Sequence, residues 1–260
     1  MKRKELYSEI LFSKRRCASI GLKDSINFPL VTLSKECIKA KLNENMELIN
    51  VFRNCIGNII DDVKEKYIFL LTDQYGCLLS LLCDNNVYRH INKFGFRIGT
   101  YFTERSLGTN AISMAMNIKR CVFLAPQDHY CDILKKWYCI ASPLIIDEKT
   151  IGYLDVSTIE HDMAEEMIVL TELLVYQIEN EYKKIIENED RTNIIKFSKE
   201  QLKILKLITK GYKDSAIASE LKISINTVNY HKRNIFKKLG VLSTREAIVK
   251  AIQMHLVEID

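Results

Sequence analysis

The run SINTVNYHKRNIFKKLGV, Ser224 to Val241, makes two demands that few folds meet together. Apolar residues fall at Ile225, Val228, Ile235 and Leu239, close to the helical period, so one face is expected to be buried. The opposite face carries Asn229, His231, Lys232, Arg233, Lys237 and Lys238, and no acidic residue lies between Ser224 and Leu242. A helix with an apolar back and a cationic front is suited to lie against phosphates.

The flanking sequence completes the pattern. Ser198 to Gln201 reads as a capping box, followed by Leu202, Leu205 and Ile208 as an apolar stripe that stops at Gly211. A second short helix, DSAIASEL, places Ile217, Ala218 and Leu221 inward, and Ser224 reads as the N-cap of the third helix. Two short helices joined by a tight turn, the second one basic, describe a helix-turn-helix at about residues 213–232. A fourth helix, Thr244 to His255, carries Ala247, Ile248, Ala251 and Ile252.

Charge is partitioned along the chain in the same sense. From Thr192 onward there are 13 Lys and Arg against 6 Asp and Glu, a net +7, while the rest has 25 against 27 and is slightly acidic. The positive excess therefore belongs with the helix-turn-helix pattern. No apolar stretch approaches the ~18 residues that span a membrane, and no apolar core follows Met1-Lys-Arg-Lys, so a cytoplasmic protein without a signal peptide is expected.

The segment FSKEQLKILKLITKGYKDSAIASELKISINTVNYHKRNIFKKLGVLSTREAIVKA resembles the C-terminal domain of LuxR-type transcription regulators. The resemblance rests on Glu200, Gly211, Ile217 to Leu221, Thr227-Val228, His231, Asn234-Ile235 and Lys238 to Val241. It implies double-stranded DNA as the partner, an all-α four-helix domain over 197–257, and RNA polymerase and a homodimer as further associations. Thr227, Asn229, Tyr230 and Arg233 are the candidates for base edges or groove walls. Lys222, His231, Lys232, Lys237 and Lys238 are the candidates for phosphates. The chain departs from the family at Asn229, where Lys is frequent; an amide bonds a base edge or a phosphate but brings no charge.

Upstream, residues 1–66 read as helical, with Leu42, Met46, Ile49, Phe52, Ile56, Ile59 and Ile60 in one stripe. Residues 67–160 read as an antiparallel α+β domain. Its strands are Tyr67 to Thr72, Cys77 to Cys83, Cys121 to Ala125, Tyr138 to Ile146 and Ile151 to Thr158, and its short helix is Thr109 to Ile118. A Gly-punctuated stretch runs from Cys83 to Gly108, and Asp147 to Thr150 reads as a turn. A long helix over 161–188 and a polar linker over 189–196 follow.

ERSLGTNAISMAM, PQDHY, WYCIASPL and IGYLDVS, in that order, are similar to the GAF-type sensor of bacterial activators for acetoin and for glycerol or dihydroxyacetone metabolism. That resemblance implies a pocket between sheet and helix near Tyr101, Phe102, Glu104, Thr109, Asn110, Asp128, His129, Tyr130 and Trp137, filled by a small metabolite. The competing reading makes Gly108 and Asn110 a tight helix start and the aromatics core. Those activators continue into an ATP-driven domain, whereas no G-x-x-x-x-G-K-[ST] occurs here, so action without ATP hydrolysis is expected.

Two alternatives belong to other classes. The N-terminal half is a dimerisation or protein-interaction module with no ligand, or it senses redox through Cys131 or Cys139. The eight cysteines, Cys17, Cys37, Cys55, Cys77, Cys83, Cys121, Cys131 and Cys139, form no C-x-x-C and read as reduced core residues. His129-x-Cys131 with Cys139 is a weak metal-ligand pattern, and no metal or cofactor is called for. Ser157 near His161 is better explained by helix capping than by nucleophilic catalysis, so no enzyme is expected.

Overall fold

The computed structural model describes residues 3–60, 67–194, 197–254 and 256–257. The chain divides into two compact units, Met1–Lys183 and Lys184–Asp260.

The first unit is organised by β1 (Ile68–Asp73), β2 (Leu78–Leu82), β3 (Val122–Leu124), β4 (Trp137–Ile146) and β5 (Lys149–Ile159). They form one sheet in the order β2-β1-β5-β4-β3, antiparallel at every pairing. All six residues of β1 are buried; the first four, Ile68 to Leu71, are apolar, as suits a strand covered on both faces. The β4–β5 hairpin turns on Asp147 and Glu148 alone, at φ 47° and 66°. Two consecutive left-handed residues give a turn whose twist matches that of the strands, so β5 starts at Lys149. Gly152 faces Asp73 across β1, where a Cβ would stand 2.3 Å from the Thr72 carbonyl oxygen.

Helices cover both faces. One carries α1 (Arg3–Ser19), α4 (Asn85–Asn92), α5 (Glu104–Leu107) and α6 (Ala111–Ile118), around a core that includes Ile10, Leu70, Leu78, Ile91, Met114 and Tyr153. Across the sheet, α3 (Met46–Gly57) packs on β1 and β2, and Ile145 N donates to Glu179 Oε1 on α7 (Glu166–Ile194). In the second unit, α8 (Lys199–Thr209), α9 (Asp214–Leu221), α10 (Ile225–Leu239) and α11 (Thr244–Gln253) close on Ile204, Leu205, Ile208, Ile217, Val228, Ile235, Leu239, Ala247 and Ala251.

Several expectations need correction. The stripe from Leu42 to Ile60 is not one helix. It breaks at Asn45 (φ −117°), whose Nδ2 donates to the Lys41 carbonyl and so ends α2 (Lys35–Glu44). No residue of α2 is buried, and Met46 is exposed; the buried positions of the stripe are Ile49, Phe52 and Ile56, on α3. Residues 61–66 of that segment lie outside the described ones. The stretch after Cys83 holds the unexpected helix α4, started by Asp84, whose side chain accepts from Asn86 N. The long helix begins five residues later than expected, because Glu160 takes φ 60° and Thr158 Oγ1 ties back to the His161 carbonyl. Its far end runs through the polar stretch expected as linker, to Ile194. In α8 the buried stripe includes Ile204, while Leu202 is half-exposed. The fourth helix ends at Gln253, and His255 lies outside the described residues.

Candidate nucleic-acid interface and sensor cluster

Side-chain caps start α8 and α10. Ser198 Oγ accepts from Gln201 N at 3.2 Å and Gln201 Oε1 accepts from Ser198 N at 3.0 Å, the reciprocal box expected. The turn before α10 uses Lys222 at φ 53°, and Ser224 Oγ accepts from Thr227 N at 3.1 Å. Gly240 ends α10 at φ 63°.

These turns fix which side chains of α10 reach solvent. Val228, Ile235 and Leu239 are buried, but Ile225 is 50% exposed, which corrects its assignment to the buried stripe. It follows directly after the N-cap and stands exposed beside Asn226, and the first buried position of the helix is Val228, three residues on. Tyr230 is 64% exposed with its ring edge toward His231, centroids 5.6 Å apart. Arg233, Lys237 and Lys222 are exposed; Asn229 and Thr227 are half-buried, and Thr227 Oγ1 lies 2.8 Å from Ser224 Oγ.

The cations are not equivalent. Lys232 Nζ pairs with Asp214 Oδ1 of α9 at 2.7 Å, with the lysine side chain only 17% exposed. Lys238 Nζ donates to Gln201 Oε1 at 2.7 Å and stands 5.4 Å above the Phe197 ring, so it fastens the start of α8. His231 is half-buried, and its buried Nδ1 accepts or donates no hydrogen bond within the protein.

The sensor candidates gather around α1. Glu104 Oε1 accepts from Ser13 Oγ (2.7 Å), Arg16 Nη2 (2.7 Å) and Asn117 Nδ2 (2.9 Å), and its Oε2 accepts from Arg16 Nε (3.0 Å). Burial alone would raise the Glu104 pKa, but the Arg16 and Ser13 bonds outweigh it and hold the carboxyl below its usual range. Thr109 Oγ1 meets Ser13 Oγ at 2.8 Å and Cys17 Sγ at 3.7 Å. The Tyr130 hydroxyl donates to the Leu22 carbonyl at 2.8 Å.

The remaining candidates shape the chain locally. Asn110 caps α6 in a box with Ser113 and donates to the Gly108 carbonyl at 2.8 Å. Asp128 Oδ2 accepts from Ala125 N, stabilising a turn of 3₁₀ helix. Phe102 stacks on Phe96 at 5.8 Å, and Trp137 tilts against the same ring at 5.3 Å. Tyr101 is half-buried beside Cys77, with which it forms an isolated bridge. His129 is fully buried with neither ring nitrogen in hydrogen-bond geometry, and burial lowers its pKa to about 4.

Cys131 and Cys139 are buried, and burial pushes both thiols up, Cys131 to about 12. Such thiols are poor nucleophiles at neutral pH. Cys131 shares a small cluster with Cys17 and Leu22, not with Cys139. Among the described residues no three His, Cys, Asp or Glu side chains converge to hold a metal, and no helix is long and apolar enough to cross a membrane. Concavities do form elsewhere in this unit. One of about 360 Å³ is lined by Ile20, Leu22, Leu30 and Arg105; another, of about 430 Å³, lies between α2, the β1–β2 turn and α7.

An antiparallel sheet clad by helices, followed by a helix-turn-helix with its basic helix outward, defines a GAF-like unit joined to a DNA-binding domain. Residues 196–251 match the family described as bacterial regulatory proteins, luxR family, and the second unit is a LuxR-type helix-turn-helix domain. Over 259 residues the chain is 25% identical to a signal-transduction and transcriptional-control protein of Clostridium beijerinckii, covering 92% of this chain and 41% of that protein. It is 22% identical over 184 residues to the acetoin dehydrogenase operon transcriptional activator AcoR of Bacillus subtilis (70% of this chain, 30% of AcoR). It is 36% identical over 93 residues to the oxygen regulatory protein NreC of Staphylococcus aureus (36% and 42%). The chain thus spans less than half the length of these relatives. In the crystal structure of the Escherichia coli DhaR(N)-DhaL complex, one chain shares the fold at TM-score 0.64 and 19% identity, covering 70% of this chain and 63% of that one.

Proposed function

We propose that the chain is a sequence-specific DNA-binding transcription regulator that acts by binding and not by catalysis. The observation that carries this is the front of α10: Tyr230, Arg233 and Lys237 stand exposed on a helix whose back is closed by Val228, Ile235 and Leu239. Arg233 and Lys237 supply charge to phosphates, and Asn229 and Tyr230 reach base edges or groove walls. Ile225, exposed at the first turn, is suited to a thymine methyl. Lys222 contributes from the turn. Lys232 and Lys238 act first within the protein, through Asp214 and Gln201.

In the same reading the GAF-like unit senses a small metabolite, and two chains act as a dimer near RNA polymerase without ATP hydrolysis. Val169, Leu173 and Tyr176, each about 60% exposed at helical spacing on α7, support a second copy as the partner of that helix. A ligand shifts such a system only through different affinity for its two arrangements.

The test is genome-wide mapping of bound DNA, followed by anisotropy on the recovered sites as salt is varied. The Arg233→Ala, Lys237→Ala double variant should lose affinity and salt slope together, and Asn229→Ala should change site preference. Wild-type behaviour from both variants would remove the reading.

A further inference from the structure

The first helix of the DNA-binding unit carries a cationic row that contact with DNA through α10 leaves unused. Lys199, Lys203, Lys206 and Lys210 follow one another at intervals of four, three and four residues, so they stand in line along one side of α8. All four are exposed, and the row runs for about 16 Å. Gln201, Ile204, Leu205 and Ile208 are buried on the opposite side. Among the described residues no acid forms an ion pair with Lys199, Lys203 or Lys206. Glu200 lies on the flank, within electrostatic reach of Lys203 and His231.

Such a row works against the helix that bears it. Like charges three and four residues apart repel, and Lys199 stands in the first turn, where the helix dipole disfavours a cation. A solvated face is better served by mixed charge than by one sign in line.

The row does not point where DNA is held. Ile204, Leu205 and Ile208 of α8 and Val228, Ile235 and Leu239 of α10 close on one core, and Lys238 Nζ joins the two helices at Gln201. Their outer faces therefore look in different directions, and a duplex seated on Tyr230, Arg233 and Lys237 leaves the α8 row outside the contact. The row also has apolar borders. Leu202 and Leu207 are half-exposed on either side of it. Tyr212, 45% exposed, follows its far end, placed by its amide donating to the Leu207 carbonyl at 3.1 Å. A phosphate backbone answers the charge alone, whereas an acidic protein surface answers both the lysines and the tyrosine.

We propose that this face of α8 docks an acidic surface of RNA polymerase, with carboxylates meeting Lys199, Lys203 and Lys206 and Tyr212 packing beside them. The proposal rests on the regulator reading above and adds a second contact to it: α10 holds DNA and α8 holds the polymerase.

The test uses the full chain on a DNA site recovered by the genome-wide map, with purified bacterial RNA polymerase holoenzyme as the probe and interferometry across a salt series as the readout. The triple variant Lys199→Gln, Lys203→Gln, Lys206→Gln should bind the site with the parent's affinity and salt slope. It should bind polymerase about tenfold more weakly, roughly two- to threefold for each exposed ion pair lost, and with less dependence on salt. Relief of the like-charge repulsion should leave its melting temperature at or above the parent's. Tyr212→Ala should weaken polymerase binding at every salt concentration and leave DNA affinity alone.

The proposal is overturned if the parent on DNA does not bind polymerase, if the triple variant or Tyr212→Ala binds it like the parent, or if the triple variant melts lower. A fall in the triple variant's salt slope on DNA also overturns it, because the row is then a phosphate contact. DNA binding by the parent, measured before polymerase is added, judges the regulator reading separately. DNA bound with polymerase binding indifferent to the row refutes this proposal alone, and no DNA bound refutes both.

Discussion

Lys237 and Lys238 are neighbours in sequence with different work in the structure, and replacing each by alanine separates the two. Lys238 holds Gln201 Oε1 at 2.7 Å and caps the Phe197 ring at 5.4 Å. A charged donor to a neutral amide contributes about 1.5 kcal/mol when sheltered, and an exposed cation–π contact about 0.5 kcal/mol. Lys238 is solvent-exposed, so screening reduces the sum to about 1 kcal/mol. For a unit of this size that is a fall of roughly 5 °C in its melting transition. Lys237 is exposed, and its loss should leave the melt within about 2 °C. On DNA the order reverses: each phosphate no longer neutralised takes about 0.9 from the slope of log K against log salt. Lys237→Ala should show that change per subunit, and Lys238→Ala a smaller one. Calorimetry of the full chain and anisotropy across a salt series are the measurements. Equal melts together with equal salt slopes for the two variants would refute the division of roles.

Asp214→Asn releases Lys232 from its 2.7 Å pair, so the salt slope should steepen by up to about 0.9 per subunit; an unchanged slope means the pair does not withhold that cation. Gly108→Ala must place a Cβ at φ 67°, 2.8 Å from Tyr130 Cβ and Cδ1. Strain and overpacking together predict a loss of about 2–5 kcal/mol, read as a lower urea midpoint. His129 has a pKa lowered from 6.5 to about 4, so below pH 6.5 the unfolded chain takes the proton first and stability falls until about pH 4. His129→Leu should flatten melting temperature across that window. Asp155 runs the other way: burial raises its pKa from 3.8 to about 7, so its stabilising protonated state is fully present below pH 3.8 and lost as pH rises through 7. Asp155→Asn, which keeps an acceptor for Ser157, should therefore gain stability over the parent at pH 8 relative to pH 3.5, and a constant difference would show that Asp155 does not titrate there.

The sequence made some features legible because their causes are local. All five strands were expected, since β1 and β4 carry apolar runs and the β4–β5 turn is marked by Asp147 and Glu148, and the capping box at Ser198 is a four-residue interaction. Features set by a single competing hydrogen bond were not legible. Asn45 interrupts an otherwise continuous stripe through one side-chain bond to the Lys41 carbonyl, which an apolar period does not register. The helix Asn85–Asn92 offered a signal in Asp84, with Val87 and Ile91 four apart, but its Asn-Asn start reads as a turn. Ile225 fits the helical period loosely, and only the position of the Ser224 cap shows that it points outward.

The same distinction bears on which sensor residues recognise anything. Glu104, Thr109 and Tyr130 were marked by motif, yet their polar atoms bond Ser13, Arg16, Cys17 and the Leu22 carbonyl of the N-terminal segment. A polar group that already spends its bonds inside the fold has little left for a ligand, and removing it would be felt first as loss of α1 docking. Asp73 and Lys41 belong to no quoted motif, because they come together only when the β1–β2 turn meets α2. Asp73 Oδ1 takes the Tyr75 and Cys77 amides and its Oδ2 the Lys41 ammonium, so this carboxylate too is committed inside the fold. In this unit, then, the motif accounts for how the N-terminal helix is fastened, and the Asp73–Lys41 pair that joins the β1–β2 turn to α2 is a contact that sequence spacing does not reveal.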